Sequence, residues 1–308
     1  MNVESQRVAY GEELAKLGEK YKDLVVLDAD LSTSTHTYMF GNKYPDRFFN
    51  LGIDEQNMMG MAAGLALSGK LVFASTFAIF ATGRAYDLVR QSIAYNRANV
   101  KIVVTHAGLT LGEDGATHQM LEDISLMCGL PGMTVIAPAD APETRRVIHA
   151  VTEMDGPCYV RLSREKVPSI LEDRQFKIGK GIIVEDGADV SIFSTGITLN
   201  IALQAREELK KTGVSAAVLH MPTIKPIDKE MIITSAKKTG RVITVEEHSI
   251  YGGLGSRIAE VLGENYPARL QRIAVRDKFG ESGKGWELLE KYGISSNEIV
   301  RHANEMMG

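Results

Sequence analysis

Glu55 is the side chain whose type and position most suggest chemistry. It stands in the first turn of a helix predicted over Asp54–Ser68, whose residues are mostly small or apolar. An acid in a first turn gains from the helix dipole and Asp54 could cap the helix, so a structural role accounts for Glu55. Alternatively, an apolar wall would favour the protonated carboxyl, which could donate or share a proton near neutral pH. Spacing alone does not choose between these two roles.

Two phenylalanines follow this helix. After Gly69, the short apolar run Leu71–Ala74 suits a buried strand, and Phe77 and Phe80 come next. Since they are three residues apart, the two rings would share a face on a helical turn. The sequence therefore predicts a helix, a buried strand and an aromatic pair in direct succession.

A glycine-rich loop is predicted at His106–Gln119, after a strand at Lys101–Val104. It carries His106 and His118, with Asp114 between them. Imidazoles can donate or accept protons near neutral pH, which suits proton transfer. A single loop histidine is more often a satisfied polar group, and only that interpretation is given to His36, His149, His220, His248 and His302.

Helices and strands alternate along the whole chain. The first half has predicted helices at Arg7–Tyr21, Tyr86–Arg97, Leu121–Cys128 and Ala141–Glu153, and further strands at Leu24–Leu27, Thr134–Ala137 and Cys158–Leu162. The composition changes from Ser163 to Lys180. The second half has predicted strands at Val190–Phe193, Ala216–Leu219, Val242–Val245 and Ile273–Val275, and helices at Leu199–Lys211, Lys229–Thr239, Gly255–Leu262 and Trp286–Tyr292.

This alternation predicts an α/β fold with two consecutive domains, each a mostly parallel sheet flanked by helices. We expect domains at residues 1–168 and 181–308, joined by a linker at 169–180. The loops at the carboxyl edges of the sheets would then be available for ligands.

Composition excludes several classes of protein. The chain has 308 residues, 44% of them hydrophobic, and a net charge of -4 with both signs mixed, so we expect no nucleic-acid partner. It has neither a signal-like start nor an apolar run of membrane-spanning length, so we expect no membrane association. Cys128 and Cys158 have no metal-like spacing, and we expect two buried free thiols in a reducing cytoplasm.

One glycine motif does not fit dinucleotide binding. The predicted strand Val242–Val245 is followed by YGGLGSRIAE, but Ile258 stands where the fingerprint needs its third glycine. The simpler interpretation is a tight turn followed by a closely packed helix.

Several motifs together resemble the transketolase family of thiamine-diphosphate enzymes. GIDEQNMMGMAAGLAL at 52–67, ASTFAIF at 74–80 and THAGLTLGEDGATHQ at 105–119 resemble its pyrimidine-binding domain. LSREKVP at 162–168, EEHSIYGGLGSRI at 246–258 and FGESGKG at 279–285 resemble the regions that follow it in transketolases. The resemblance covers nearly the whole chain, in the family's order.

The resemblance implies a cofactor role for five residues. Glu55 would hydrogen-bond the thiamine pyrimidine and favour the imino form that deprotonates the thiazolium C2. Phe77 and Phe80 would line the pyrimidine pocket, and Ile53 and Asp30 would lie near the cofactor. A third pocket aromatic is usual in the family, but Gly83 stands at that position here.

The resemblance also implies substrate contacts. His106 and His118 match the family's paired histidines, and Asp114 matches an acid that binds a sugar hydroxyl. Three further residues, Arg7, Ser34 and Arg164, match positions that bind the phosphate of a sugar phosphate. For Arg7, surface pairing explains the residue equally well.

One family motif is absent. Gly-Asp-Gly followed by asparagine, which holds Mg²⁺ on the diphosphate, has no counterpart here; Glu113-Asp114-Gly115 and Glu185-Asp186-Gly187 are the nearest strings. The resemblance therefore implies the C-terminal subunit of a split transketolase that also self-associates. A separate N-terminal subunit would supply the Mg²⁺ and diphosphate site, and the pair would transfer two-carbon ketol units between sugar phosphates of the pentose phosphate pathway.

Three alternatives remain open at this point. The β subunit of a 2-oxo acid dehydrogenase has a similar plan, but the paired histidines favour sugar phosphates. A deoxyxylulose phosphate synthase-like enzyme is the second alternative, although such enzymes usually carry their own metal motif. The third is an assembly or regulatory subunit without catalytic activity.

Overall fold

Strands of this protein form two larger sheets and one small one. The computed structural model describes residues 2–308. The strands are β1 (Val3–Ser5), β2 (Leu24–Asp28), β3 (Phe48–Asn50), β4 (Leu71–Ser75), β5 (Val100–Val104), β6 (Thr134–Ile136), β7 (Cys158–Arg161), β8 (Lys166–Pro168), β9 (Ile182–Glu185), β10 (Val190–Ser194), β11 (Ala216–His220), β12 (Thr223–Lys225), β13 (Arg241–Ser249) and β14 (Arg269–Val275).

The two large sheets are mostly parallel. The first has the order β12-β6-β7-β5-β4-β2-β3, and only β12 runs antiparallel to its neighbour. The second has the order β14-β13-β10-β11-β9, with β9 as its antiparallel edge. Strands such as β4 and β5 are buried at every position because helices cover both sheet faces.

Twelve α-helices connect these strands within residues 2–308. They are α1 (Gln6–Lys20), α2 (Ser32–Thr35), α3 (Tyr38–Lys43), α4 (Glu55–Leu67), α5 (Tyr86–Leu88), α6 (Asp123–Cys128), α7 (Ala141–Glu153), α8 (Thr198–Lys211), α9 (Lys229–Thr239), α10 (Leu254–Asn265), α11 (Gly285–Lys291) and α12 (Ser296–Met307). Two π-helical stretches, Phe80–Arg84 and Val89–Ala94, flank α5. None of these helices is long and apolar enough to span a membrane.

Side-chain caps fix the starts of several long helices. Ser5, Asp54, Asp140, Asp228 and Ser295 each accept a hydrogen bond from a backbone N–H in the first turn that follows. Such caps satisfy backbone donors that have no partner inside the helix. The start of α4, and with it the position of Glu55, is therefore set by its neighbour Asp54.

The predicted α/β fold with mostly parallel sheets is confirmed. Three features differ from the predicted elements. The expected helix at Tyr86–Arg97 is partly π-helical, and the antiparallel edge strands β9 and β12 were not predicted. Helix α12 was also missed, although it is amphipathic and buries Ile299, Ala303 and Met306.

The segment expected to be a linker is packed rather than loose. Residues 169–180 contain no helix or strand, yet Leu171 is fully buried. The Asp140 carboxylate accepts hydrogen bonds from the backbone N–H groups of Ile170 and Leu171, each at 2.7 Å. In addition, β12 from the second half joins the first sheet, so the two halves share hydrogen-bonded structure.

The glycine motif at Gly252 is a tight turn, as the simpler interpretation predicted. The carboxylate of Glu246 accepts hydrogen bonds from Leu254 N (2.7 Å) and Gly255 N (2.8 Å) at the start of α10. An anion-binding helix terminus would need those N–H groups free, and here a carboxylate of the same chain already uses them. Cys128 and Cys158 are free thiols, as predicted; Cys158 is buried, whereas Cys128, which was also expected to be buried, is only partly so.

Candidate active site

The residues predicted for the site follow the carboxyl ends of four neighbouring strands. Asp30 follows β2, Phe77 follows β4, His106 follows β5 and Arg164 follows β7. These strands are adjacent in the order β7-β5-β4-β2. The carboxyl edge of a parallel sheet is where such folds bind ligands, because the loops there converge.

Glu55 is almost completely buried. Its side chain is 1% exposed at the start of α4, above a helix interior that buries Met58 and Met59. The Arg84 Nη1 lies 2.9 Å from Glu55 Oε2. The Glu55 carboxyl is therefore shielded from solvent and forms an ion pair with the guanidinium of Arg84, which is itself about half exposed.

Phe77 and Phe80 form a parallel ring pair. Their centroids are 5.9 Å apart and their planes differ by 10°. Phe77 is held by a bridge to Thr105, which fixes the end of β4 against the end of β5. Gly83 leaves the third aromatic position open, and the Arg84 Cζ lies 4.7 Å from the centroid of the Phe80 ring.

Each histidine of the glycine-rich loop contacts one of these rings. His106 stacks on Phe77 at 3.9 Å between centroids, and His118 meets Phe80 edge-on at 5.6 Å. Burial, with the charges of Arg7 and Arg164 nearby, lowers the pKa of His106 to about 2, so its imidazole is neutral at physiological pH. His106 also has φ +61°, a strained conformation often found at functional sites.

Arg7 and Arg164 come together beside the loop. Arg7 donates to the backbone oxygens of Ser34 (2.8 Å) and Arg164 (3.2 Å). Burial and the charge of Arg164 lower the pKa of Arg7, and its buried Nε has no hydrogen-bond partner. An anion would compensate both the nearby positive charge of Arg164 and the Arg7 donor that has no partner. Arg164 is in turn held by Leu111 O (2.5 Å) and Glu113 Oε2 (2.8 Å).

Three predicted residues lie at the exposed rim. Asp114 is exposed, and its carboxylate makes no hydrogen bond or ion pair within residues 2–308. Ile53 is 76% exposed. Asp30, also exposed, is held by Asn50, whose side-chain oxygen accepts from Asp30 N at 3.0 Å. The structure thus brings together Glu55, both phenylalanines and both histidines, with the charges of Arg7 and Arg164 near His106, and leaves these three exposed.

Sequence reasoning missed two residues of the site region. Arg84 was not predicted, although it lies four residues after Phe80, a spacing that shares a helical face. Gln6 is fully buried next to Arg7, donating to Pro138 O (2.6 Å) and accepting from Ser163 N (2.8 Å). It ties the start of α1 to the Arg164 turn, a contact between residues 157 positions apart that no local pattern reveals.

No group of three or more His, Cys, Asp or Glu residues within 2–308 is arranged to hold a metal ion. The buried carboxyl and parallel rings fit a flat heterocycle with ring nitrogens. The described residues do not fit a magnesium diphosphate, which needs clustered oxygen ligands.

These residues lie at the carboxyl edge of one sheet in an α/β fold with two large sheets. Residues 5–169 match the transketolase pyrimidine binding domain, and residues 179–299 match the transketolase C-terminal domain. The chain belongs to the transketolase family and corresponds to its C-terminal section, as the motifs predicted.

Individual relatives agree with this assignment. A transketolase C-terminal section of Methanocaldococcus jannaschii is 52% identical over 305 residues, which is 98% of this chain and 96% of that protein. A 6-deoxy-6-sulfo-D-fructose transketolase subunit of Clostridium sp. is 43% identical, over 97% of this chain and 94% of that one. The solved structure of a split gene transketolase, described as an inactive β4 tetramer, has a TM-score of 0.92 with 48% identity and covers 98% of both chains.

Proposed function

We propose that this chain is the C-terminal subunit of a thiamine-diphosphate-dependent transketolase that transfers a two-carbon ketol unit from a ketose phosphate to an aldose phosphate. The observation that carries the proposal is the buried Glu55 beside the parallel Phe77 and Phe80 rings, with a loop histidine on each ring. When bound, thiamine diphosphate supplies the carbon nucleophile and electron sink that this reaction needs.

The residues of this chain would bind the pyrimidine ring and take part in proton transfer. Glu55 would hydrogen-bond a ring nitrogen of the pyrimidine, Phe77 and Phe80 would line its pocket, and the surrounding apolar residues would exclude water. His106, neutral at physiological pH, would offer a ring N–H to the reacting oxygens, whereas its lowered pKa makes it a weak proton acceptor. His118 is the second histidine within reach of the same rings.

The substrate phosphate is assigned to the arginine pair. Arg7 carries an unpartnered buried donor, and Arg164 brings a second cation beside it. Guanidinium groups bind the oxygens of a phosphate in a fixed geometry. Ser34 accepts a hydrogen bond from Arg7 through its backbone oxygen, and the exposed Asp114 would bind a sugar hydroxyl. Asp30 and Ile53 would contact the cofactor only from the rim.

A separate N-terminal subunit completes the site. The absence of a metal-binding cluster from residues 2–308 supports a partner that holds Mg²⁺ and the diphosphate. Two relatives that match nearly the full chain are named as a C-terminal section and as a subunit, which supports the same arrangement. The related chain described as an inactive tetramer of β subunits supports self-association without activity.

The direct test is reconstitution. The purified chain alone should transfer no carbon from xylulose 5-phosphate to ribose 5-phosphate, and addition of the N-terminal subunit with thiamine diphosphate and Mg²⁺ should restore transfer. Robust transfer by the isolated chain would refute the need for a partner. Reduction of lipoyl acceptors without sugar transfer would instead support the 2-oxo acid dehydrogenase alternative.

A sulfonated sugar is a second candidate substrate, because one relative is named for 6-deoxy-6-sulfo-D-fructose. Sulfonate and phosphate are both tetrahedral oxyanions, and an arginine pair can donate hydrogen bonds to the oxygens of either. Comparing kcat/KM of the reconstituted complex for fructose 6-phosphate and 6-deoxy-6-sulfofructose decides between them.

A further inference from the structure

The loop that carries both histidines is held from the C-terminal half of the chain at two places. On one side, Gln119 Nε2 donates to the backbone oxygen of Glu281 at 3.0 Å, within the segment 279–285. On the other side, the loop meets Glu247 in β13. The second contact joins residues 137 positions apart and buries a titratable group that the proposed reaction does not use.

Glu247 is seated closely against the start of this loop. Its Oε1 accepts a hydrogen bond from the backbone N–H of Thr110. Gly108, at φ +83°, leaves the space that the carboxyl occupies, since a Cβ there would lie 2.3 Å from the Glu247 side chain. Both the backbone conformation and the close approach therefore require glycine at position 108.

Charged groups from two other elements surround Glu247. From β7, Arg161 donates to the backbone oxygen of Glu247 (2.8 Å) and to Asp123 of α6 (2.8 Å), and Tyr159 also donates to Asp123. The buried Oε2 of Glu247 has no hydrogen-bond partner. Burial raises the pKa of Glu247 to about 7, with Arg161 opposing the rise and Asp123 adding to it.

We propose that Glu247 is a positioning residue, through which the C-terminal half fixes the His106–Gln119 loop over the candidate active site. An ionised carboxylate accepts a stronger hydrogen bond than a carboxylic acid does. Burial nevertheless raises the pKa of Glu247, which means that burial outweighs this bond and that the closed loop favours the protonated carboxyl. The loop is therefore held less tightly as Glu247 loses its proton near neutral pH. The way in which Glu247 holds the loop does not depend on the proposed function. The effect of Glu247 on turnover does rest on that function.

Amide hydrogen exchange of the segment 107–119 tests the placement directly in the purified chain. Glu247→Leu removes the acceptor at similar size and should speed exchange there by roughly tenfold or more. Glu247→Gln retains an acceptor and should restore most of the protection. In the wild type, protection corrected for intrinsic rates should fall between pH 6 and 8, whereas in Glu247→Gln it should not change with pH.

Glu246→Gln is the matched control, because Glu246 is the adjacent buried glutamate and its carboxyl faces α10 instead of the loop. In Glu246→Gln, the amide hydrogen exchange rates of the segment 107–119 should equal those of the wild type. Unchanged exchange in Glu247→Leu, or equal loosening by Glu246→Gln, would overturn the proposal. If Glu247→Leu does not fold, the pH comparison between wild type and Glu247→Gln decides by itself, and a pH-independent wild type overturns the proposal.

The consequence for catalysis is measured in the complex with the N-terminal subunit. There kcat/KM should fall in Glu247→Leu and largely recover in Glu247→Gln. A loosened loop with unchanged kcat/KM would contradict a positioning role. Absence of sugar transfer by the wild-type complex would instead count against the proposed function, and the exchange result would still decide how the loop is held.

Discussion

Glu55 and Arg84 form an ion pair of 2.9 Å in which the carboxyl is 1% exposed and the guanidinium 49% exposed. The same guanidinium lies over the Phe80 ring, with its Cζ 4.7 Å from the centroid. Arg84 therefore contacts two of the three groups that are proposed to receive the thiamine pyrimidine. A ring that bonds to Glu55 must compete with this cation.

Replacing Arg84 with methionine should tighten cofactor binding. The ion pair between Glu55 and Arg84 would no longer have to be broken, and pairs with one exposed partner are worth about 0.2–1 kcal/mol, which corresponds to an affinity gain of up to roughly fivefold. The Kd of thiamine diphosphate in the complex with the N-terminal subunit measures this. Arg90→Met is the control, because Arg90 is exposed and has no ion pair within residues 2–308. Weaker binding by Arg84→Met would show that Arg84 orients the carboxyl for the cofactor.

Glu55→Gln should lower kcat of the reconstituted complex by roughly 10²–10⁴-fold, since an amide cannot share a proton with a ring nitrogen. The fold should be retained because glutamine has the same size. Thermal melting and circular dichroism check the fold, and Asp54→Asn is the control, since asparagine also caps a helix. Near-normal turnover in Glu55→Gln would remove Glu55 from the mechanism.

Arg7→Met should raise the KM of phosphorylated aldoses by roughly 10–100-fold, the usual value of a hydrogen bond to a charged group. An unphosphorylated aldose should be affected much less, because Arg7 is assigned to the phosphate alone. Arg174→Met serves as control, since Arg174 lies in the segment 169–180, outside the arginine pair. Equal losses with both kinds of acceptor would mean that Arg7 only supports the structure around Ser34.

Local sequence patterns were sufficient for the centre of the site. The carboxyl at the start of an apolar helix and two aromatics three apart are neighbours along the chain, and their predicted positions match α4 and the ring pair. The alternation of apolar runs likewise predicted the parallel strands. In each case the sequence pattern spans about 20 residues or fewer, and over such a length the spacing of apolar residues indicates which side chains are buried.

Contacts between distant segments could not be predicted from local sequence patterns. Arg84, which pairs with Glu55 across 29 positions, ends the π-helical stretch Phe80–Arg84, a local departure that propensities do not indicate. Glu247 meets Thr110 only when both halves have folded. The edge strand β12 has three residues, too few for a periodic pattern, and its pairing with β6 depends on tertiary packing.

The last prediction concerns Asp28, which holds residues 31–37, the segment that contains the short helix α2 and Ser34. Its carboxylate accepts hydrogen bonds from Leu31 N (2.7 Å) and from the hydroxyls of Thr35 (2.8 Å) and Thr37 (2.9 Å). Burial nevertheless raises the pKa of Asp28 to about 6, which means that burial outweighs these bonds. The folded protein then binds more protons at this group than the unfolded chain does between about pH 4 and pH 6.

Asp28 therefore contributes stability at low pH that is lost as the pH rises through 6. Asp28→Asn has no such titration, so its melting temperature relative to the wild type should increase between pH 4.5 and pH 7.5. The integrated difference is at most about 3 kcal/mol for a shift of about two pKa units. Asp46→Asn, at an exposed acid, should show a constant difference over the same range. A difference for Asp28→Asn that is constant or falls with pH would show that the hydrogen bonds to the ionised carboxylate outweigh its burial, and the segment that contains Ser34 would then be held by charge.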